Sequence, residues 1–311
     1  MSRIFEVLNK SKEGVADLVR PMVAEQIRRA PQTDGEPQGS EVPTGVAEAP
    51  AGKKAPAAEP SSLSHIRTLS LRVPAPSPLL PFESGQWRPS EQYRILRTKI
   101  SQHSKQPRAI VISSPGPGDG KSVTAINTAA ALSLKSESHV LLLDADLRKP
   151  AIHKQLGLPQ SPGLADVLAG ACTLEKALVH TKEFPNLCAI SSGTTPANPV
   201  ELLDSRQWRA VCTRLRDIFR YVIMDSPPVG SVADYDLIQD VCDGVILVVR
   251  PDHTNRNLCR QALELLPKAK FLGVLLNCVP DWTPAGKGGA DYYYYYASGK
   301  VPANGQNGTT D

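Results

Sequence analysis

A loop rich in glycine and proline connects an apolar run to a helix-forming segment. The run is Ala109–Ser113, and the helical pattern begins at Lys121. The N–H groups at a helix start and a lysine ammonium both attract phosphate, and a serine hydroxyl ligates Mg²⁺. The loop therefore predicts a phosphate-binding site for ATP and Mg²⁺. The residues predicted to hold the nucleotide are Gly116, Pro117, Gly118, Asp119, Gly120, Lys121, Ser122 and Val123.

The loop departs at one position from the phosphate-loop pattern GxxxxGK[ST]. Pro115 stands where that pattern has its first glycine. A glycine-rich turn without any ligand is the alternative interpretation. We favour the phosphate site because the loop follows a predicted strand and opens a predicted helix, which is the context that gives the pattern its function.

Three aspartates follow two further apolar runs. Asp144 and Asp146 come at the end of the run that begins at Val140, and Asp225 ends the run that begins at Tyr221. Side chains at the carboxyl ends of parallel strands meet at one edge of the sheet, where carboxylates hold the metal of a nucleotide site. One such aspartate alone would be interpreted as a loop cap. Three in this order predict an acidic cluster that faces the phosphate loop.

These segments resemble the bacterial protein-tyrosine kinases, the BY-kinases that regulate capsule and exopolysaccharide export. An apolar strand followed by Asp-x-Asp-x-Arg is the second Walker motif of that family, and here it ends on Arg148. Three more motifs of the family appear along the chain. They are the ExxRxxR helix with Glu91, Arg94 and Arg97, the RKPxxH segment Arg148–His153 and the GxxPxNPxELL segment Gly193–Leu203. The resemblance covers residues 90–279 and the tyrosine-rich tail.

The resemblance implies roles for particular residues. The implied catalytic residues are Lys121, Asp144, Asp146 and Arg148, and the implied metal site is Ser122, Asp144, Asp146 and Asp225. Asp144 would orient the tyrosine hydroxyl or accept its proton, with Asp146 as the alternative. Arg148 would steady phosphate charge or form a subunit contact. Asn277, at the end of the last predicted strand, would recognise adenine or would cap that strand.

Five of the eight tyrosines form one uninterrupted run near the end of the chain. The resemblance implies that they accept phosphate: Tyr292, Tyr293, Tyr294, Tyr295 and Tyr296. Taken alone, such a run would be interpreted as a sticky low-complexity patch. The resemblance also implies that Glu91, Arg94 and Arg97 form a subunit contact in a ring. Each tail would then enter the site of the next subunit.

The order of the predicted elements is that of βαβ units. The predicted strands are Ala109–Ser113, Val140–Asp144, Leu187–Ser191, Tyr221–Asp225, Gly244–Val249 and Leu272–Cys278. The predicted helices are Pro89–His103, Lys121–Lys135, Glu201–Phe219 and Arg256–Leu266. We therefore expect an α/β fold of the P-loop NTPase type, with a mostly parallel sheet covered by helices on both faces. The sequence does not reveal the order of the strands.

Composition divides the chain into four parts. Residues 1–30 place apolar side chains at mostly helical spacing, which predicts an amphipathic segment of one or two helices. Residues 31–88 consist mostly of Pro, Ala, Gly, Ser, Gln and Glu, which predicts a disordered linker. Residues 89–280 are the predicted kinase domain, and residues 281–311 are the predicted flexible tail with the tyrosine run.

Charge and cysteine usage exclude several classes of function. The formal net charge is 35 − 31 = +4, which is small for a dedicated nucleic-acid binder. The six cysteines include no CxxC pair, so neither a zinc site nor a redox motif is indicated.

Hydropathy predicts where the protein works. No apolar run reaches the ~18 residues that a membrane span needs, and the amino terminus lacks the apolar stretch of a secretory signal. We therefore expect a cytoplasmic protein that a partner recruits to the membrane. The resemblance implies a transmembrane adaptor of the polysaccharide chain-length-determinant type, with residues 1–30 as the candidate docking segment.

Two other functions fit the phosphate loop. A positioning ATPase of the Min and Par kind would carry a lysine five residues before Lys121, where this chain has Gly116. That function also leaves the tyrosine run and the ExxRxxR helix unexplained. A regulatory pseudokinase, which binds ATP without transferring phosphate, carries the same motifs and differs only in an activity assay.

Overall fold

The computed structural model describes residues 2–5, 66–74, 79, 87–135 and 138–279. The strands in these ranges are β1 Ser2–Phe5, β2 Arg67–Leu69, β3 Ala109–Ser113, β4 Val140–Asp144, β5 Val179–Thr181, β6 Leu187–Ile190, β7 Tyr221–Asp225, β8 Gly244–Val249 and β9 Phe271–Asn277. The helices are α1 Trp87–Gln102, α2 Lys121–Ser133, α3 Ile152–Leu156, α4 Leu164–Leu168, α5 Leu174–Ala177, α6 Pro199–Leu203, α7 Arg206–Ile218, α8 Asp234–Asp240 and α9 Arg256–Leu265.

All the strands join one sheet in the order β1-β9-β8-β3-β7-β4-β6-β5-β2. Neighbouring strands run parallel except for the pairs β1–β9 and β5–β6. The central strands β3, β4 and β7 are buried along their whole length. Continuous apolar strands of this kind are typical of parallel sheets that are covered on both faces.

Helices pack on both faces of the sheet and form two hydrophobic cores. Apolar side chains of α1, α2 and α3 belong to one core. Those of α4 to α9 belong to the other. The predicted α/β fold of the P-loop NTPase type, with a mostly parallel sheet, is therefore confirmed. No helix among the described residues combines the length and the apolar character needed to cross a bilayer.

Part of the predicted disordered linker is ordered, which corrects that prediction for residues 66–74. Strand β2 pairs in parallel with β5, and the Arg72 N–H donates to the Leu156 carbonyl over 2.9 Å. Ile66 packs against one hydrophobic core. Leu71 and Val73 pack against the other. The apolar residues Leu69, Leu71 and Val73 alternate with polar ones, as in an edge strand, but the Pro-rich sequence around this short pattern hides it. The other residues of the linker lie outside the described ranges, apart from 79 and 87–88.

Two other predictions of secondary structure were wrong in detail. Ser2–Phe5 is a strand that pairs antiparallel with β9, although the sequence predicts helix there. An edge strand offers unpaired N–H and C=O groups, and these can draw a neighbouring segment into the sheet. The single helix predicted over Glu201–Phe219 is two helices, α6 and α7, because Ser205 caps α7 by accepting from the Trp208 N–H over 3.1 Å. Residues 6–30 lie outside the described ranges.

Candidate functional site

The register of the sheet brings two of the predicted acids side by side. Asp144 ends β4 directly opposite Asp225, which ends β7. Ile112 of β3 lies opposite Asp225 on its other side, and the phosphate loop leaves β3 one residue later. The carboxyl ends of three adjacent parallel strands therefore carry the loop and both acids, which is where open α/β sheets bind ligands.

The phosphate loop needs glycine at two positions. Gly118 and Gly120 have φ angles of 85° and 93°, in the region that disfavours other residues. A Cβ on Gly120 would lie 2.0 Å from the Asn277 Nδ2, so β9 fits against the backbone of the loop. Helix α2 starts at the next residue, Lys121, and its first N–H groups have no partner within the helix. A helix start of this kind is suited to an anion.

Lys121 lies among the acids. Its Nζ is 3.0 Å from the Asp146 Oδ2 and 3.6 Å from the Asp225 Oδ1. Burial alone would lower the pKa of this ammonium, but the charges of Asp225 and Asp146 outweigh it and raise the pKa. Lys121 is therefore charged at any physiological pH. An ammonium held in this way can neutralise phosphate oxygens at the helix start.

Two of the acids are buried with oxygens that lack a hydrogen bond. In Asp144 the Oδ2 accepts from the Ala151 and Ile152 N–H groups, over 3.2 and 3.1 Å, while the Oδ1 has no partner. Neither oxygen of Asp225 has a hydrogen-bond partner within 3.5 Å, although the Lys121 Nζ lies 3.6 Å from its Oδ1 and the Ser122 hydroxyl lies nearby. Burial and the neighbouring Asp225 charge raise the pKa of Asp144 to about 8. Burial also raises the pKa of Asp225, against the opposing charge of Lys121.

Unsatisfied carboxylate oxygens are the ligands that Mg²⁺ prefers. Such buried orphan atoms normally have a partner, so the residues fit a metal that arrives with its nucleotide. The described residues form no ready-made cluster of three acidic, histidine or cysteine ligands. Ser122 is buried at the start of α2, next to Lys121.

Arg148 pairs with a fourth acid, Asp234. Its Nε and Nη2 donate to the two oxygens of Asp234, each over 2.9 Å. Asp234 is fully buried and begins α8. The pair links the loop after β4 to the loop after β7, so it holds together the two segments that carry the acids. Asp234 could not be singled out from the sequence, because an acid at a helix start has an ordinary structural explanation.

Asn277 bonds to the backbone of the phosphate loop. Its Nδ2 donates to the Asp119 carbonyl over 2.9 Å, and its Oδ1 accepts from the Cys278 N–H over 3.0 Å. The second contact is the strand-end cap that the sequence allowed as an alternative. Asn277 therefore holds the backbone of the predicted phosphate loop against the end of β9.

The predicted subunit contact lies on α1, away from the acids. Glu91 and Arg94 form an ion pair of 3.1 Å, and both side chains are about half exposed. The Arg97 Nη1 approaches the Ala131 carbonyl of α2 at 3.5 Å. One of the three residues is therefore tied to the domain, and the other two face solvent. The predicted acceptors, residues 292–296, lie outside the described ranges.

The three remaining tyrosines are all in the core. Tyr93 is 3% exposed, Tyr221 is 4% exposed and Tyr235 is 1% exposed. The hydroxyl oxygens of Tyr93 and Tyr235 are fully buried. Burial also raises the pKa of the Tyr235 phenol. The Tyr221 hydroxyl donates to the Ser101 Oγ over 3.4 Å, so the folded domain holds all three tyrosines in place.

Comparison with known families defines the class of this fold and site. A family model described as "ParA: NUBPL iron-transfer P-loop NTPase" matches residues 105–284, which is more than half of the chain. This range contains the phosphate loop and the three acids. The class is therefore that of the ParA-type P-loop NTPases, whose fold implies that the chain binds a nucleotide.

Individual relatives narrow the class to one family. The chain is 38% identical over 192 residues to "Tyrosine-protein kinase YwqD" of Bacillus subtilis, covering 60% of this chain and 80% of that relative. It is 34% identical over 197 residues to "Tyrosine-protein kinase CpsD" of Streptococcus agalactiae, covering 61% of this chain and 83% of that one. The chain belongs to the bacterial tyrosine-protein kinases.

Solved structures give the same result. The crystal structure of the chimeric protein CapA2B2 superposes with a TM-score of 0.62 at 32% identity, covering 71% of this chain and 96% of that one. The kinase domain of the Escherichia coli tyrosine kinase ETK gives a TM-score of 0.57 at 27% identity, covering 61% and 75%. The family predicted from the motifs is confirmed.

Proposed function

We propose that this protein transfers the γ-phosphate of ATP, bound with Mg²⁺, to its own tyrosines 292–296. The observation that carries the proposal is the burial of Tyr93, Tyr221 and Tyr235. Eight tyrosines are present, and these three are locked in the core. A tyrosine autokinase built on this chain has only the terminal run left as acceptor.

The arrangement of charges supports phosphoryl transfer. Bound Mg²⁺ would neutralise charge on the phosphates, and Ser122, Asp225 and Asp144 are the residues that would hold it. Lys121 supplies a fixed cation at the helix start, 3.0 Å from Asp146. Catalysis of this reaction rests mainly on positioning and on electrostatic stabilisation. A charged group held between two acids is already positioned before the substrate arrives.

Asp144 is the group that we assign to the tyrosine hydroxyl. Its Oδ2 is committed to the first turn of α3 through Ile152, whereas its Oδ1 is buried and free of hydrogen bonds. Burial raises its pKa to about 8 in the absence of Mg²⁺, and bound Mg²⁺ would favour the ionised carboxylate that could accept the phenol proton. Asp146 is a poorer choice, because one oxygen accepts from the Lys149 N–H and the other pairs with Lys121.

The test is a variant in which all five tail tyrosines become phenylalanine. We expect it to lose phosphotyrosine on incubation with Mg·ATP, because no exposed phenol remains. Its affinity for ATP should stay within about twofold of the wild type, since the site is intact. A five-Phe variant that still gains phosphotyrosine at the wild-type rate would contradict the proposal.

We propose further that transfer occurs between subunits, in a ring built through the exposed face of α1. Glu91 and Arg94 lie on that face, half exposed, and within the described part of the chain they pair with each other. Mixing two variants distinguishes transfer within a subunit from transfer between subunits. The Lys121→Met chain has the tail tyrosines but a damaged site, and the five-Phe chain has an intact site but no acceptor. We expect phosphate on the Lys121→Met chain in the mixture. Replacing Glu91, Arg94 and Arg97 together by alanine in both chains should reduce the transfer and the sedimenting mass.

An adaptor in the membrane would complete this assembly. The relatives are BY-kinases, which typically pair with a membrane protein of the polysaccharide chain-length-determinant type, and we propose such a partner here, in control of capsule or exopolysaccharide synthesis. Residues 1–30 are the candidate docking segment. Deleting residues 6–30, which leaves β1 in the sheet, should release the protein from the membrane fraction of the native cell, and unchanged localisation would assign docking to the folded domain.

A further inference from the structure

The side chain of Asp119 turns back into the phosphate loop instead of facing outward. Its carboxylate is 1% exposed. The Oδ2 accepts from the Gly116 N–H over 3.1 Å, which closes the loop on itself. This N–H group is therefore already in use within the loop. Asp119 shapes the backbone that has to surround a phosphate.

A second element holds the same carboxylate from outside the loop. The Thr254 hydroxyl, in the connection between β8 and α9, donates to the Asp119 Oδ1 over 2.7 Å. The same oxygen of Thr254 accepts from the Arg250 N–H over 2.9 Å. Donating and accepting together fix the hydroxyl in one orientation. The bond to Asp119 links residues 135 positions apart in sequence.

Two further residues, His253 and Asn277, also lie against the loop. The His253 Nε2 is 3.2 Å from the Pro117 carbonyl, and a Cβ on Gly118 would lie 2.9 Å from that Nε2. On the far side of Asp119, its carbonyl accepts from Asn277 of β9. The tip of the phosphate loop is thus held from the ends of two adjacent strands, β8 and β9.

We propose that Thr254 is a positioning residue for nucleotide binding, which acts through Asp119 to hold the phosphate loop in its binding conformation. It touches the loop and is not assigned any contact with the nucleotide. The inference rests on the nucleotide binding that the fold implies. It does not depend on tyrosine transfer, so it survives if the tail proposal fails.

The expected effect is on affinity. Without the hydroxyl of Thr254, one oxygen of a buried carboxylate loses its outside donor, and the loop populates other conformations. Apparent affinity falls in proportion to the population that can still bind. A single lost hydrogen bond to a charged group corresponds to about a tenfold change. Turnover at saturating ATP should change little, since bound nucleotide restores the loop.

The experiment compares Thr254→Val with Thr254→Ser in the full chain. The dissociation constant is measured with a fluorescent ATP analogue, and KM and kcat with ATP. We expect Thr254→Val to bind about tenfold more weakly, with KM raised to match and kcat within about twofold. Thr254→Ser, which keeps the hydroxyl, should stay within about twofold of the wild type. Thr213→Val is the matched control, because it removes a hydroxyl that bonds only within α7.

Two results would overturn the proposal. One is an unchanged dissociation constant in a folded Thr254→Val protein, even if its melting temperature falls. The other is a Thr254→Ser protein that binds as weakly as Thr254→Val. If Thr254→Val does not fold, Thr254→Ala carries the same comparison, since it removes the hydroxyl and needs no extra space.

Discussion

Aspartates lie at both ends of the central strands, but the two ends differ in how many carboxylate oxygens accept hydrogen bonds. At the amino ends of β3 and β8, Asp243 accepts from the Arg108 and Ala109 N–H groups, each over 2.9 Å, and from Arg216 over 2.6 Å. At the carboxyl ends, Asp144 and Asp225 are more deeply buried and keep three oxygens without a hydrogen bond. Both oxygens of Asp243 accept hydrogen bonds, whereas one oxygen of Asp144 and both oxygens of Asp225 have no partner within 3.5 Å.

The pKa values of these acids follow from that difference. Burial alone would raise the pKa of Asp243, but its hydrogen bonds from Ala109 and Arg108 and the charge of Arg216 lower it. Burial and like charge raise the pKa of Asp144 to about 8. Hydrogen bonds offset the cost of burying Asp243, so this acid stabilises the fold. Acids that stay unsatisfied inside a protein mark a site kept ready for a ligand.

Replacing the cation at each end by methionine should show the largest difference between the ends, in the rate of autophosphorylation. Lys121→Met removes the charge beside the transferring phosphate, and we expect the rate of autophosphorylation to fall about 100- to 1000-fold. Arg216→Met removes the cation beside Asp243 and should leave that rate within about twofold at temperatures where the protein is folded. Immunodetection of phosphotyrosine over time gives both rates. Similar losses in the two variants would mean that Lys121 acts only on stability.

Replacing each acid by asparagine should change stability in opposite directions. The native state keeps a proton on Asp144 up to pH about 8, whereas the unfolded chain releases it near pH 3.8. Ionisation thus favours the unfolded state, and wild-type stability falls as the pH rises through this window. Asp144→Asn does not ionise. Without nucleotide, it should be more stable than the wild type by about 1–3 kcal/mol at pH 8, with a smaller gain at pH 5.

Asp243→Asn is the matched control for that measurement. A lowered native pKa stabilises the fold above the unfolded value of 3.8, and this contribution is lost as the pH falls through the native pKa. We therefore expect Asp243→Asn to be less stable than the wild type by about 1 kcal/mol at pH 7, with the difference shrinking below pH about 4. Thermal unfolding over this pH range gives both curves. If both variants were more stable than the wild type, or both less stable, the distinction between the two ends would be wrong.

The sequence predicted the parts of the site that lie on short segments. A strand, a glycine loop and a helix start are adjacent in the chain, and so are Asp144, Asp146 and Arg148. Local order was therefore enough to predict the phosphate loop and the acids, and to identify the family. It was also enough for the central strands, whose bounds differ from the predicted ones by at most one residue at each end.

Residues that work through distant contacts could not be predicted in this way. Asp234 binds Arg148 across 86 positions, and Thr254 binds Asp119 across 135. Neither residue belongs to a motif, and each has an ordinary local explanation at the start of a helix or in a turn. Strand β2 was missed for a similar reason, because three residues among prolines become a strand only when β5 offers its edge.

The most direct test of the account is a map of the phosphorylated residues. The purified full chain is incubated with Mg·ATP beside the Lys121→Met variant and digested, and its peptides are analysed by mass spectrometry. We predict phosphate on residues 292–296, none on Tyr93, Tyr221 or Tyr235, and almost none anywhere in the Lys121→Met protein. Phosphate mainly on the three core tyrosines, or equal phosphate in the variant, would contradict the assignment of both the site and its acceptor.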